Sequence, residues 1–185
     1  AVVKLSNGTY MPLDPTWVPF CRELWSSAEQ QQNYLPGVPE GSDLCITPVS
    51  APENHYVHIK ADNRLEADGT LRGTFILTAE GQSDSNIRRI FTTGFQSEWK
   101  STMERQLLAI SPKARLLSVD YGKNPKDYQA APIKITFRYE IPDYALRGEG
   151  EMFFRPMVMN NLYNQVRSYM WIDTSVENRK YGFKD

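Results

Sequence analysis

The chain has few of the residues that would indicate a metal site, a redox centre or a membrane anchor. Its 185 residues include two cysteines, Cys21 and Cys45, and two histidines, His55 and His58. The cysteine spacing matches no zinc or redox motif, since neither residue belongs to a Cys-x-x-Cys pair. The two could form a disulfide in an oxidising compartment, but spacing alone does not fix the required geometry. No apolar run approaches the roughly 20 residues of a membrane-spanning helix, so we expect no membrane insertion.

An excess of charge of one sign is also missing. There are 21 Lys and Arg against 22 Asp and Glu, which gives a formal net charge of -1. Nucleic-acid-binding proteins carry a basic patch, and Arg88-Arg89, on the face of a predicted helix, is too small to be one. The mixed surface therefore favours protein, peptide or glycan partners. Aromatic residues are plentiful at 12%, a composition typical of β-rich proteins.

The start of the chain predicts a β-hairpin followed by a helix. Two short apolar runs flank Asn7-Gly8, which is a strong two-residue turn signal. Residues 23–34 then favour a short helix, and a Pro- and Gly-rich stretch ends it. We place a domain boundary in the next Pro-rich stretch, so that residues 1–48 form a hairpin, a helix and a linker. A chain of this length accommodates one further domain, residues 49–185.

The second domain shows the period of two that is typical of strands. Residues 56–61 and 71–79 alternate on either side of the Asp68-Gly69 turn and predict an antiparallel pair. The period becomes helical between residues 84 and 110, and further strands are predicted at residues 114–121, 133–141 and 148–154. These patterns predict a mainly β fold, an immunoglobulin-like β-sandwich with an inserted pair of short helices and with its last strands truncated.

One motif in the first hairpin carries chemistry. The second strand ends in Leu13-Asp14-Pro15-Thr16, where Pro15 disfavours a helical conformation at Asp14. This resembles the end of a bacterial transglutaminase-like catalytic core, where such a strand supplies the aspartate of a Cys-His-Asp triad. The resemblance implies that Asp14 accepts a hydrogen bond from the imidazole and sets its tautomer. The residues alone leave open an ordinary turn or cap aspartate, which is common before proline.

The remainder of the chain extends the resemblance. Residues 50–160, with their strand, Asp-Gly turn, strand, helix pair and Ile-Lys-Ile-Thr-Phe-Arg-Tyr-Glu-Ile-Pro segment, are similar to a β-rich domain of unknown function. That domain follows the catalytic core in some bacterial envelope proteins. The resemblance implies a location in the cell envelope or periplasm, or secretion. It also implies an upstream catalytic domain, in the same polypeptide, that cleaves or transfers amides through a cysteine.

In that family the triad Cys and His precede the strand that carries the aspartate. We therefore expect no complete active site, and no enzymatic activity, in this chain alone. Its expected role is that of an accessory module that scaffolds the catalytic domain or helps to bind a partner or substrate. The alternative is an independent immunoglobulin-like module for binding or adhesion to protein or glycan. A free-standing enzyme would require Asp14 within roughly 3 Å of Cys21 or His58.

The other candidate groups point to weaker sites. His55 and His58 should face opposite sides of a strand, so we expect neither a metal nor a cofactor. Glu149 and Glu151 could act as paired carboxylates on a sugar, although strand carboxylates two apart usually line a solvated face. Strand tyrosines could form a sugar-stacking platform, although they more often pack in a core. These tyrosines are Tyr56, Tyr121, Tyr128, Tyr139 and Tyr144.

Overall fold

The computed structural model describes residues 1–14, 29–49, 51–127, 129–130 and 132–156. These residues form two helices and a set of β-strands, most of them short. In chain order they are β1 (Val2–Lys4), β2 (Tyr10–Pro12), β3 (Asn33–Tyr34), β4 (Cys45–Ile46), β5 (Tyr56–Leu65), β6 (Leu71–Glu80), α1 (Gln82–Thr93), α2 (Trp99–Leu108), β7 (Arg115–Asp120), β8 (Ile133–Ile141), β9 (Leu146–Arg147) and β10 (Met152–Phe153).

The largest element is a four-stranded antiparallel sheet with the order β5-β6-β8-β7. Ile59 on β5 lies opposite Leu77 on β6, which in turn lies opposite Ile135 on β8. Both β6 and β7 run antiparallel to β8, so they are parallel to each other and need a crossover connection. The two helices form that crossover.

One face of the sheet carries the hydrophobic core. Burial alternates strictly along β8, so its odd-numbered residues face inward and its even-numbered ones do not. The rings of Phe75 and Phe137 pack across neighbouring strands at 5.5 Å between centroids. The helices cover this face with buried apolar side chains, and each such side chain contributes roughly 1.5 to 3 kcal/mol by leaving water. The helical part of the core consists of Ile87, Phe91, Trp99, Met103 and Leu107.

The opposite face of the sheet is polar. Its strongest feature is Glu140, which forms ion pairs with Arg72 at 3.3 Å and with Arg115 at 3.2 Å. The three residues stand in one cross-strand row, because the register places Glu140 opposite both Arg72 and Arg115. One face of the sheet is apolar and the other is polar, which explains why the strands alternate between apolar and polar residues.

Sequence determines where the helices begin and end. Gly81 precedes α1 with a φ of 63°, and a Cβ at this position would collide with the carbonyl oxygen of Asn54, so a glycine is required. Gly94 ends the helix. Edge-to-face contacts then join both helices to the sheet, since Phe91 packs on Trp99 at 5.1 Å and on Tyr121 at 5.6 Å. No helix in the described part of the chain is long and apolar enough to cross a bilayer.

Both predicted hairpins form, and both use the same turn. In the first, the amide of Gly8 donates to the carbonyl of Leu5, and Gly8 has a φ of 84°. In the second, the amide of Gly69 donates to the carbonyl of Glu66, and Gly69 has a φ of 83°. Each is a turn followed by a left-handed glycine, which makes a three-residue loop, whereas the Asn7-Gly8 signal predicted a two-residue turn for the first hairpin.

The β-rich fold with a helical insertion is confirmed, and strand 133–141 has the predicted bounds. The predicted helix over residues 23–34 is wrong at its end, where Asn33–Tyr34 form β3, and residues 23–28 lie outside the described residues. The predicted strand 148–154 is reduced to Met152–Phe153, because residues 148–150 belong to the turn after β9. The described residues form one four-stranded sheet covered by helices and three two-stranded ladders, and they do not show the second facing sheet of a sandwich.

Candidate functional site

The predicted triad aspartate follows directly after the first hairpin. Val3 pairs with Met11 at the centre of the β1–β2 ladder. Just beyond the paired residues, the amide of Leu13 donates to the carbonyl of Ala1 at 2.7 Å. Asp14 comes next and is half-buried. The ladder thus fixes the backbone up to the residue before the carboxylate. A carboxylate held in this way can orient an imidazole that a neighbouring domain presents.

The hairpin is tied to the short β3–β4 ladder. The Lys4 ammonium binds the Glu40 carboxylate at 2.9 Å and lies 5.7 Å from the centre of the Tyr10 ring. The Tyr34 hydroxyl donates to the Tyr10 carbonyl at 3.5 Å. The hydrogen bond with Lys4 lowers the pKa of Glu40, and the same bond raises the pKa of Lys4. Residues 1–14 and 29–49 therefore contact each other, and we call them together the N-terminal unit.

Cys45 lies inside this unit rather than at a helix terminus. It is a free thiol on β4, opposite Tyr34, and its sulfur donates to the Asp43 carbonyl at 3.7 Å. Burial raises the pKa of Tyr34, with a smaller contribution from the neighbouring Cys45. Cys21, the other half of the predicted disulfide, lies outside the described residues.

The N-terminal unit exposes an apolar patch. The register pairs Asn33 with Ile46, and continuing it places Leu35 opposite Leu44 on the same face. Leu35, Leu44 and Ile46 are 65%, 69% and 66% exposed. We call these three side chains the leucine patch. No large hydrophobic residue within residues 1–14 and 29–49 is buried, so the described unit has no apolar interior of its own.

The two histidines occupy different environments. His55 precedes β5 and is buried, and its ring packs against Gly81 at the start of α1. His58 is exposed on β5. Within the described ranges no three His, Cys, Asp or Glu residues gather as metal ligands would.

The remaining predicted site residues are spread over the fold. Glu149 and Glu151 are exposed in the turn between β9 and β10. Tyr139 is buried in the core, where it donates to Asn63 and where burial raises its pKa to about 12. The other tyrosines are Tyr56 at the start of β5, Tyr121 in the aromatic cluster with Phe91 and Trp99, and Tyr144 near β9, while Tyr128 lies outside the described residues.

A buried ion pair is the feature that sequence reasoning missed. Arg88, which the sequence placed only on a helix face, donates through its Nε to both carboxylate oxygens of Asp84 at 3.0 and 2.8 Å. Both side chains are 2% exposed. The carboxylate also accepts the amide of Ile133 at 2.8 Å, which anchors the start of β8. The i,i+4 spacing was visible in the sequence, but it is equally common on solvated helix faces.

The guanidinium of Arg88 also fixes the loop between β7 and β8. Its terminal nitrogens donate to three loop carbonyls, those of Pro125 at 3.0 Å, Asp127 at 2.8 Å and Ala130 at 3.3 Å. Beside this loop lies a cleft of about 420 Å³, which we call the β7–β8 cleft. Its lining includes Thr78, Arg88, Tyr121, Lys123, Ile133 and Lys134.

Comparison of the chain with protein-family models, with curated proteins and with solved structures finds no match.

Proposed function

We propose that the chain is a non-catalytic accessory module that adjoins a transglutaminase-like domain of the same polypeptide and supplies Asp14 to its Cys-His-Asp triad. The observation that carries this proposal is the position of Asp14, half-buried and one residue beyond the last bond of a regular hairpin. A triad carboxylate needs such a rigid base, because its role is to hold an imidazole in one orientation.

The leucine patch supports an adjoining domain. Two-residue ladders and lone hairpins are marginal in water unless they pack on something else. The N-terminal unit has three aligned, exposed apolar side chains and no buried large hydrophobic residue in its described part. Its described charges are four carboxylates against one lysine, namely Asp14, Glu29, Glu40 and Asp43 against Lys4. Such a surface fits a partner that is apolar at its centre and basic at its rim.

The sheet and its helices form the scaffold of the module. They have a continuous core of their own, so this part can hold its shape while the N-terminal unit contacts another domain. The immunoglobulin-like sandwich remains a proposal for this module, and it requires a second sheet on the polar face. The envelope, periplasmic or secreted location remains a proposal as well.

The decisive test is Asp14→Asn in the longer polypeptide that includes the upstream domain. Replacing a triad aspartate by asparagine favours the wrong imidazole tautomer, so we expect amide turnover to fall by about 10⁴-fold. The matched control is Asp43→Asn, an exposed carboxylate of the same unit, which should leave the rate unchanged. Activity retained in Asp14→Asn would contradict the triad assignment. Turnover by the present chain alone, surviving loss of Cys21 and Cys45, would contradict its non-catalytic role.

A binding or adhesion module is the second candidate, and one observation favours it. The β9–β10 hairpin exposes Leu146 at 74% and its cross-strand neighbour Phe153 at 61%, followed by Phe154 at 51%. Exposed apolar clusters of this kind mark protein-binding surfaces. If Asp14→Asn has no effect while Phe153→Ser abolishes association of the whole polypeptide with a purified protein partner, this second candidate is favoured.

A further inference from the structure

We propose that the β7–β8 cleft binds a small organic anion, a carboxylate carried on an apolar body. The cleft has a volume of about 420 Å³, within the range of roughly 300 to 1,000 Å³ that is typical of small-molecule sites. This inference does not depend on the proposed role of Asp14, because the cleft belongs to the sheet and not to the N-terminal unit.

The walls of the cleft suit an apolar body. Its lining includes Ile133 and Tyr121, and Ala130 and Pro132 contribute from the loop. Tyr121 is held by its contacts with Phe91 and Trp99, at 5.6 and 5.4 Å between ring centroids. These walls therefore present carbon surface without having to rearrange.

The charged lining of the cleft suits an anion. The lining includes three cationic residues, Arg88, Lys123 and Lys134, and no carboxylate among the described residues. Asp84 neutralises Arg88, but neither lysine forms an ion pair with any residue of the described ranges. Two lysines of one lining without an ion-pair partner in the described part of the chain raise the local potential and attract a negative ligand. Thr78 adds a hydroxyl to the same lining.

The described residues of the loop beside the cleft are held by hydrogen bonds before any ligand arrives. Arg88 donates to the carbonyls of Pro125, Asp127 and Ala130, and Lys126 lies 5.7 Å from the centre of the Trp99 ring. A site that is already ordered loses less conformational entropy on binding.

Two sources could supply this ligand chemistry, an alkyl carboxylic acid or the carboxyl end of a peptide. Isothermal titration calorimetry with octanoate and with N-acetyl-leucine represents the two sources, and octanamide and N-acetyl-leucinamide are the neutral counterparts. We expect saturable binding of at least one carboxylate and none of the amides. The carboxylate that binds more tightly identifies the source.

Variants distinguish carboxylate binding in the cleft from non-specific attraction to surface lysines. Lys123→Ala and Lys134→Ala should each weaken carboxylate binding about three- to tenfold, as expected for charge-assisted contacts of exposed lysines. Lys60→Ala removes an exposed lysine outside the lining and should change nothing. Ala130→Leu should abolish binding by filling the cleft, without altering its charge. Absence of saturable binding by both carboxylates, or binding that both lysine variants leave unchanged, would overturn the proposal.

Discussion

The two hairpins that close with the same turn belong to regions of opposite character. The β1–β2 hairpin lies in a unit whose described large hydrophobic residues are all at least partly exposed, whereas β5–β6 packs on two helices through a continuous core. In both, an Asx side chain accepts the amide two residues on, with Asn7 bonding Thr9 at 3.0 Å and Asp68 bonding Thr70 at 2.9 Å. The same turn residues therefore close an exposed hairpin and a packed one. Burial decides whether the stability of the whole molecule depends on that hairpin.

The largest expected effect is a cavity in the core of the sheet. Phe137 is fully buried on β8 and packs against Phe75, so Phe137→Ala should destabilise the chain by about 3 to 5 kcal/mol. Ile46→Ala in the leucine patch removes a side chain that is 66% exposed, and we expect a change within about 0.5 kcal/mol. Urea unfolding of both variants measures the contrast. Equal losses would show that the two regions share one core.

The next largest effect concerns the buried ion pair. Arg88→Ala should cost about 3 kcal/mol, because it leaves the Asp84 carboxylate buried without its cation and frees three loop carbonyls. The neighbouring Arg89 is exposed, so Arg89→Ala is the matched control and should be nearly neutral. Thermal unfolding of the two variants compares them. Similar melting temperatures would contradict the structural role of Arg88.

A smaller effect should separate the two turns. Gly69→Ala forces a left-handed alanine whose Cβ would lie 3.1 Å from the Ala145 carbonyl oxygen, and we expect a loss of about 1 to 2 kcal/mol in global stability. Gly8→Ala carries similar strain in open space, so it should lower amide protection in β1–β2 without shifting the main unfolding transition. Gly148→Ala has open space and no positive φ, and it serves as the neutral control. A global shift with Gly8→Ala would show that the N-terminal unit unfolds together with the sheet.

The smallest effect is a pH dependence of the link between β1–β2 and β3–β4. The bond from Lys4 lowers the pKa of Glu40, so its stabilisation is present above the ordinary carboxyl pKa of 4.5 and is lost as pH falls through the lowered value. At alkaline pH the link is lost above the raised pKa of Lys4. The substitution Lys4→Met should return the pKa of Glu40 towards 4.5, and an NMR titration measures this change. Lys113→Met, which changes the partner of Asp143, should leave Glu40 unaffected.

Local patterns predicted most of the sheet. Strand β8 alternates over nine residues, and that length makes the buried face unambiguous. The spacing of Trp99, Met103 and Leu107 likewise identified the buried side of α2. Ladder β3–β4 has only two residues per strand, which is too short for any period to show, and the Gln-rich sequence before it favoured a helix instead.

The described residues do not show the predicted sandwich. The apolar-polar alternation of the strands and the periodicity of the helices give the reason. Two amphipathic helices each needed an apolar surface to cover, and the sheet offered only one apolar face, since the alternate residues of β8 are polar. Arg88 could not be placed from sequence, because its partners other than Asp84 are backbone carbonyls 37 to 42 residues away. Asp14 lies two residues beyond the end of β2, which stops at Pro12, and its catalytic role stays a prediction.

The outer strands of the large sheet present poor templates for further strand pairing. On β5 the run Lys60 to Arg64 places charges along the free edge, and on β7 the register shifts between Leu116 and Ser118 and so bends the opposite edge. Charged residues and bulges at sheet borders discourage the stacking of strands from neighbouring molecules. A protein whose outer strands carry these features can reach a high local concentration without its sheet extending into a fibre.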